Sequence, residues 1–400
     1  MIQNFLDAED GVKNLVAECL GQDFLQVVYG RNYHVFRGTP GRFVGLLNWD
    51  TLNTVLEYHA IDTSRMFLTK NGNRLDESSY INQYKDRRSN SRTSWNIGAL
   101  NSLLATGATL VLAAIDELHP PIGKFAAALE HFLKTGVQVN AYASWTSTEA
   151  FKTHWDDHDV LVYQLEGSKR WRIYGQTDEL QLMRTRAAEL APETPIDEFV
   201  LTAGDILYLP RGFWHSAAAS EGMPSLHLTC GPNSATGIDL VVWLLDRLRM
   251  RAEMYADVPR FRSRKEQLRF LAAWRHEIES EMSEPELLQS FFTYRDASVS
   301  QRPCFSLPHV AGVPADPDLR VRLIAPIAVS ASPDGVVTGL AADGRTWSVA
   351  EPGLARAFAP LIQGHSVSLG QLAATASLPI GTVARFLTEL TQQGAAAVAS

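Results

Sequence analysis

The sequence predicts an α+β protein whose middle third is a β sandwich or barrel of the jelly-roll kind, with helices on both sides of it. From Val137 onward, short runs of alternating apolar residues are separated by Gly and Pro, as in all-β domains. After Pro232 the pattern changes to long amphipathic helical repeats. The C-terminal quarter combines short strands with two short helices, a pattern that fits a small winged-helix module.

Each element follows from local periodicity and its breaks. Strands are predicted at residues 107–114, 137–144, 160–165, 169–174, 199–201, 205–209, 213–217 and 225–229. Helices are predicted at residues 12–19, 49–58, 123–133, 238–256, 263–281, 284–294, 368–376 and 379–393, with the rest of the N-terminal segment as loops. Glu166-Gly167-Ser168 has the composition of a turn, so the strands on either side of it are predicted to form a hairpin.

The chain of 400 residues is long enough for two or three domains. Composition shifts predict three: a β domain at 1–235, a helical domain at 236–302, and the winged-helix candidate at 303–400.

Bulk composition excludes several classes of protein. Hydrophobic residues make up 46% and charged residues 20%, typical of a globular protein, and no apolar run reaches the roughly 20 residues of a membrane span. The N-terminal residues include several acids and make a poor secretory signal, so we expect a cytoplasmic protein. Cys19, Cys230 and Cys304 lie too far apart to suggest a disulfide framework or a thiolate zinc site. The net charge of -8 argues against a general nucleic-acid binder.

A metal site is predicted from two separate segments. On a strand, His154 and Asp156 would point to the same face, so both side chains can reach one ion, and His215 follows a Pro-Arg-Gly turn on a later strand. Two His and one carboxylate on one face form the arrangement of non-haem Fe(II) oxygenases, with three open positions for a keto acid and dioxygen. With 11 His and 44 acidic residues, His-x-Asp alone is no better than chance, so the weight rests on His215. His158 has the same strand parity and is a rival ligand, although we favour a place outside the coordination sphere.

Four further residues are candidates for binding a cosubstrate. Lys169 begins the strand after the turn and could pair with a distal carboxylate, and a solvated lysine at the end of a hairpin is an equally good interpretation. Asn140 and Tyr142 alternate in phase on the strand before the metal motif and could point inward. His227 on the last strand fits a binding residue and a satisfied core histidine equally well.

These residues together resemble the cupin-4/JmjC ribosomal oxygenases. The motifs that carry the resemblance are Asn140-x-Tyr142, His154-x-Asp156, Gln164-Leu-Glu-Gly-x-Lys169-x-Trp171, Gly204-Asp205-Ile-Leu-Tyr-Leu-Pro-Arg-Gly-x-x-His215 and His227-Leu-Thr229. The resemblance extends over nearly the whole chain, since that family also has a helical dimerisation region and a C-terminal winged-helix domain after a double-stranded β-helix core.

The resemblance implies a protein hydroxylase that uses Fe(II), 2-oxoglutarate and O2. The positions matching His154, Asp156 and His215 would bind iron. Those matching Lys169 and Asn140 would contact 2-oxoglutarate, with His227 and Thr229 nearby, and the one matching Tyr142 would hold the substrate. One position departs from the family pattern: Gly231 stands where relatives often have Ser, which puts one hydrogen bond on the cosubstrate side in doubt.

The resemblance also implies partners: a protein or peptide substrate, with ribosomal proteins as candidates, and a second copy of the chain. The apolar residues Val241, Leu244, Leu245, Leu248 and Met250 lie near one side of a predicted helix, which must pack either on its own barrel or in a dimer. Other hypotheses are the same chemistry on a precursor peptide or small amino-acid derivative, N-methyl-lysine demethylation, and a non-catalytic cupin-like binding or regulatory protein.

Two further segments suggest binding surfaces. The basic cluster at residues 85–92 could steer a polypeptide substrate, although a solvated polar loop is the commoner explanation. The helix at 379–393 has only Arg385, offset by Glu389, so direct DNA binding is not expected.

Overall fold

The computed structural model describes residues 9–21, 23–177, 191–220, 222–298, 302–324, 328–332, 336–342 and 344–398. Contacts between residues divide the chain into two compact units, 1–233 and 234–400. None of the described helices is long and apolar enough to cross a membrane.

In the first unit, the described residues form four α-helices and thirteen strands. The helices are α1 (Glu9–Leu20), α2 (Trp49–Tyr58), α3 (Ile97–Ala105) and α4 (Pro120–Leu133). The strands are β1 (His34–Phe36), β2 (Met66–Lys70), β3 (Asn73–Arg74), β4 (Ile81–Lys85), β5 (Ser91–Trp95), β6 (Thr109–Leu112), β7 (Val137–Ser144), β8 (Val160–Glu166), β9 (Ser168–Gln176), β10 (Asp197–Thr202), β11 (Ile206–Leu209), β12 (Phe213–Ala219) and β13 (Ser225–Pro232).

Two antiparallel sheets face each other in this unit. The large sheet has the order β1-β11-β8-β13-β7-β6-β2-β3, and the small sheet has the order β10-β9-β12. An isolated bridge between His154 and His215 adds one more segment beside β12. From β7 to β13 the chain passes repeatedly from one sheet to the other, which is the strand pattern of a jelly roll.

The alternation of side chains along each strand builds a different core on each side of the large sheet. Val139, Ala141 and Ala143 of β7 point away from the small sheet, into a large apolar cluster that includes residues of α1, α2 and α4. A smaller apolar cluster fills the space between the two sheets, with Val162 of the large sheet and Trp171 of the small sheet among its members. The polar residues Asn140, Tyr142 and Ser144 therefore lie on the inner face of β7.

One prediction about this unit is wrong. The turn at Gly167 is present, with φ at 67°, but β8 and β9 do not pair as a hairpin, because the turn transfers the chain from the large sheet to the small one. Period-2 patterns indicate a strand but not its partner, which explains the error. The segment 85–92 is mostly exposed, as a solvated polar loop would be, and residues 86–90 connect β4 to β5, which form a two-stranded ribbon.

Seven α-helices and six strands lie within the described part of the second unit. The helices are α5 (Gly237–Leu248), α6 (Arg264–Met282), α7 (Leu287–Ser298), α8 (Pro352–Ala357), α9 (Ala359–Ile362), α10 (Leu369–Ala376) and α11 (Ile380–Gln392). The strands are β14 (Arg320–Leu323), β15 (Ala328–Ala331), β16 (Val337–Ala342), β17 (Arg345–Ser348), β18 (Val367–Ser368) and β19 (Ala396–Val398). They form two three-stranded sheets, β18-β14-β19 and β15-β16-β17, and α10 and α11 contribute to the apolar cluster beside them.

Helix α5 differs from its prediction in length and in the placement of its apolar residues. It begins with a capping box between Thr236 and Asp239 and ends at Leu248, eight residues before the predicted end. Leu244 and Leu248 are buried against α7, whereas Val241 and Leu245 are about half exposed. The apolar residues therefore lie on two sides of the helix and not on one side as predicted, and one of the two sides is exposed.

Candidate active site

Three side chains from two segments converge on the inner face of the small sheet. His154, Asp156 and His215 each offer one ligand atom, and these atoms lie within 4.8 Å of one another. The backbones of the two histidines hydrogen-bond in both directions, with N–O distances of 3.0 and 2.8 Å, and their ring centroids are 4.4 Å apart. Oδ2 of Asp156 lies 3.7 Å from Nε2 of His215. This is the two-histidine, one-carboxylate face of an open metal site.

Backbone carbonyls orient both imidazoles. Nδ1 of His154 donates to the carbonyl of Lys152 at 2.8 Å, and Nδ1 of His215 donates to the carbonyl of Phe213 at 2.9 Å. Each Nε2 is then the unprotonated nitrogen, available as a ligand. The residues present therefore fit a divalent metal ion in their donor set and their tautomers.

Burial also prepares His215 to act as a ligand. Loss of hydration, together with the nearby His154, lowers the pKa of His215 to about 4. His215 is therefore neutral near pH 7, so no proton has to leave its ring when a metal ion binds.

The strand parity used to predict the site holds only in part. His154 forms a single bridge, and residues 155–159 are irregular, with bends at Asp157 and His158. The group of potential ligands found among the described residues does not include His158. Its Nδ1 lies 3.1 Å from Oδ1 of Asp157, and its ring packs on Gly231.

The remaining candidates lie in cross-strand pairs on the inner face of the large sheet. Asn140 of β7 is opposite Thr229 of β13, and Tyr142 is opposite His227. The rings of Tyr142 and His227 stack, with centroids 5.1 Å apart and planes 9° apart. Oδ1 of Asn140 accepts hydrogen bonds from the amide of Ala114 and from Gln138, which leaves its Nδ2 as the donor.

Lys169 is buried on the facing sheet, with 4% of its surface exposed. Lys169 lies four residues along β9 from Ile173, which pairs with His215 on β12. At the usual rise per residue of a strand, four residues span roughly 13 Å. Among the residues that the structure describes, none forms a hydrogen bond or ion pair with the ammonium of Lys169. Burial alone lowers the pKa of Lys169 to about 7, and burial together with the charge of Lys169 holds the pKa of His227 well below its usual value. The interpretation of Lys169 as a solvated lysine is therefore wrong.

Several buried polar atoms on β7, β8, β9 and β13 also lack partners. Within the described residues they include Oγ of Ser144, Oε1 of Gln164, Nε1 of Trp171 and Nδ1 of His227, whose pKa is lowered by burial and by the charge of Lys169. Buried polar groups in a folded protein are normally hydrogen-bonded. An unpaired buried ammonium together with these unpaired donors and acceptors therefore indicates a binding site for a polar anion.

Three residues that sequence reasoning did not single out help to build the site. Phe151 lies beside both Tyr142 and His154, with centroid distances of 6.1 and 5.8 Å. Glu149 accepts a hydrogen bond from Ser216 at 3.1 Å, which ties the loop before His154 to the strand of His215. Asp159 accepts from the amide of Arg211 at 2.9 Å and so holds the Pro-Arg-Gly turn. None of the three belongs to a recognisable sequence motif, so their roles become visible only from their contacts in the folded structure.

A family comparison covers this part of the chain. Residues 117–240 match the family model described as JmjC domain. The matched region spans less than a third of the chain, and it includes the three potential metal ligands and the candidate cosubstrate residues on β7, β9 and β13.

The sequence is also similar to named proteins. It is 30% identical to ribosomal oxygenase 1 of Rattus norvegicus over 196 residues, 47% of this chain and 30% of that protein. It is 32% identical to ribosomal oxygenase 1 of Homo sapiens over 169 residues, 40% and 25% of the two chains. It is 25% identical over 254 residues to the bifunctional lysine-specific demethylase and histidyl-hydroxylase NO66 of Dictyostelium discoideum, 60% and 46% of the two chains. The matched region is thus less than half of each of these relatives.

Solved structures share the fold over most of this chain. A structure of Escherichia coli YcfD has a TM-score of 0.60 at 16% identity, covering 94% of this chain and 97% of that one. A structure of YcfD described as a ribosomal oxygenase in complex with cobalt and 2-oxoglutarate has a TM-score of 0.58, covering 94% and 98%. At this identity the likeness concerns the fold, and it agrees with the predicted α+β class.

Proposed function

We propose that this protein is an Fe(II)- and 2-oxoglutarate-dependent oxygenase that hydroxylates an amino-acid side chain in a protein. One observation carries the proposal: an open His-Asp-His face lies on the same inner surface as a buried lysine that has no counter-ion among the described residues. A metal ion and a dicarboxylic keto acid together would satisfy both features. When bound, Fe(II) with 2-oxoglutarate and O2 supplies the oxidative chemistry that converts a C–H bond to an alcohol.

The chain's own residues would bind and orient these partners. Nε2 of His154, Nε2 of His215 and the carboxylate of Asp156 would hold the metal ion on one face. Lys169 would pair with the far carboxylate of the cosubstrate, and Nδ2 of Asn140 would donate a hydrogen bond nearby, beside His227 and Thr229. The rings of Tyr142 and Phe151 would form the wall next to the metal face, where the substrate side chain has to enter.

The test uses the purified protein with Fe(II), 2-oxoglutarate and the mixed proteins of purified ribosomes. Wild-type protein is expected to form succinate and to add a single oxygen atom to one protein, located by peptide mass spectrometry. His154→Ala or Asp156→Ala should abolish both products. The matched control is His34→Phe, an exposed histidine on β1. Undiminished succinate formation by either ligand variant would overturn the metal assignment.

The choice of a protein substrate is supported by the names of the relatives, which are ribosomal oxygenases and histidyl-hydroxylases. The same chemistry on a precursor peptide or a small amino-acid derivative would use an identical metal face. Addition of oxygen to a protein in the assay above would distinguish a protein substrate from these alternatives. A non-catalytic binding protein is disfavoured because the ligand set and Lys169 are all in place.

The organisation of the whole chain is proposed on the same grounds. We propose a JmjC double-stranded β-helix domain at 1–235, a helical dimerisation domain at 236–302 and a winged-helix domain at 303–400. The half-exposed apolar side of α5 supports a homodimer. Helix α11 has Arg385 as its single basic residue, which supports a winged helix that does not bind DNA. The three free thiols are consistent with a cytoplasmic protein.

A further inference from the structure

The contact between His158 and Gly231 bears on how a substrate is recognised. Gly231 follows His227 and Thr229 at the same parity on β13, so a side chain at this position would extend over the inner face of the large sheet. A Cβ atom added to Gly231 would lie 2.8 Å from Cδ2 and 3.0 Å from Nε2 of His158. The imidazole therefore occupies the space that any other residue at position 231 would need.

The two ring nitrogens of His158 have different surroundings. Nδ1 lies 3.1 Å from a carboxylate oxygen of Asp157 and donates a hydrogen bond to it. In the neutral ring Nε2 is then the acceptor. No described residue donates a hydrogen bond to this Nε2, and 41% of the side chain is exposed. His158 thus offers one free acceptor, two residues after a metal ligand and directly over the inner face.

We propose that His158 and Gly231 form a substrate-recognition pair, in which Gly231 admits the imidazole and Nε2 of His158 accepts a hydrogen bond from an N–H group of the substrate. This rests on the proposed function. The N–H group belongs either to the peptide backbone or to a nitrogen-bearing side chain, because both present the same donor.

The experiment measures, for each variant, the ratio of hydroxylated product to succinate formed. The mixed proteins of purified ribosomes serve as the probe. His158→Phe keeps a flat ring of similar size but removes Nε2, and about a tenfold fall in this ratio is expected for one lost hydrogen bond to substrate. His158→Gln places an amide oxygen near the position of Nε2 and should restore most of the ratio, which a purely structural role of the ring would not predict. Gly237→Ala, where an added Cβ meets nothing within 4 Å, is the control for glycine substitution.

A double substitution tests the pairing itself. Gly231→Ala should lower the ratio as His158→Phe does, because the added Cβ displaces the ring. In a His158→Ala background Gly231→Ala should cost nothing further, since no ring remains to be displaced. Once the modified peptide is known, single N-methyl substitutions along its backbone separate a backbone donor from a side-chain donor.

The outcomes distinguish this inference from the proposed function. If wild-type protein hydroxylates the probe and His158→Phe does so with an equal ratio, the recognition pair is overturned and the oxygenase stands. If wild-type protein adds oxygen to none of the probe proteins, the proposed protein substrate is overturned and this inference falls with it.

Discussion

At the scale of single residues, Lys169 combines deep burial with an ammonium group that has no ion-pair partner among the described residues. A buried ammonium without a counter-ion destabilises a fold unless an anion meets it. Lys169→Met should therefore stabilise the free protein while weakening 2-oxoglutarate binding about 100-fold. Thermal unfolding and calorimetric titration of the Co(II)-loaded protein measure the two effects. Lys265→Met, an exposed lysine of α6, should change neither, and unchanged cosubstrate affinity in Lys169→Met would contradict the assignment.

The same residue predicts a pH dependence. The pKa of Lys169 in the folded protein is about 7, below its usual value of roughly 10.4 in an unfolded chain. Between these two values the unfolded state binds more protons, so the stability of the free protein should rise as pH increases from about 7 to 10. Denaturation at several pH values should show this slope in the wild type and a smaller one in Lys169→Met.

Cosubstrate binding should reverse that shift. A bound carboxylate raises the pKa of Lys169 again, so at pH 8 the binding of 2-oxoglutarate should take up close to one proton. Calorimetry in buffers of different ionisation enthalpy measures this uptake. Equal binding enthalpy in all buffers would show that Lys169 does not meet the anion.

At the scale of elements, Gly167 controls the passage from the large sheet to the small one. Its φ of 67° lies in the left-handed region, and an added Cβ would lie 1.7 Å from the carbonyl oxygen of Pro224. Gly167→Ala should lower the free energy of unfolding by more than the roughly 1–3 kcal/mol of left-handed strain, because the backbone of Pro224 must also move. Gly222→Ala separates the two effects, since Gly222 has a φ of 68° and nothing within 4 Å. Equal losses in urea denaturation would exclude the steric effect.

At the scale of the whole molecule, the exposed apolar side of α5 predicts self-association. Val241 and Leu245 are 51% and 49% exposed, and they lie four residues apart on one helix face. Replacing both by Glu should turn a dimer into a folded monomer. Light scattering coupled to gel filtration measures the mass, and Glu279→Lys on α6 is a control for an altered exposed charge. A monomeric wild-type protein would contradict the proposal.

The sequence by itself determined most elements of this protein and the identity of its key side chains. Strand β7 and helix α2 lie where local alternation and helical periodicity predict them, because these patterns reflect the burial of one face. The motif spacing likewise identified His154, Asp156 and His215 as one group, and the structure brings their ligand atoms together.

Tertiary structure alone decided which strands pair and what surrounds each polar group. A period-2 pattern shows that β8 and β9 are strands but cannot show that they belong to different sheets. Whether the side chain of Lys169 is exposed to water or buried among polar groups depends on residues far away in sequence, and so does the contact of His158 with Gly231. The periodicity of a sequence records which face is buried, whereas partners and electrostatics depend on distances across the fold.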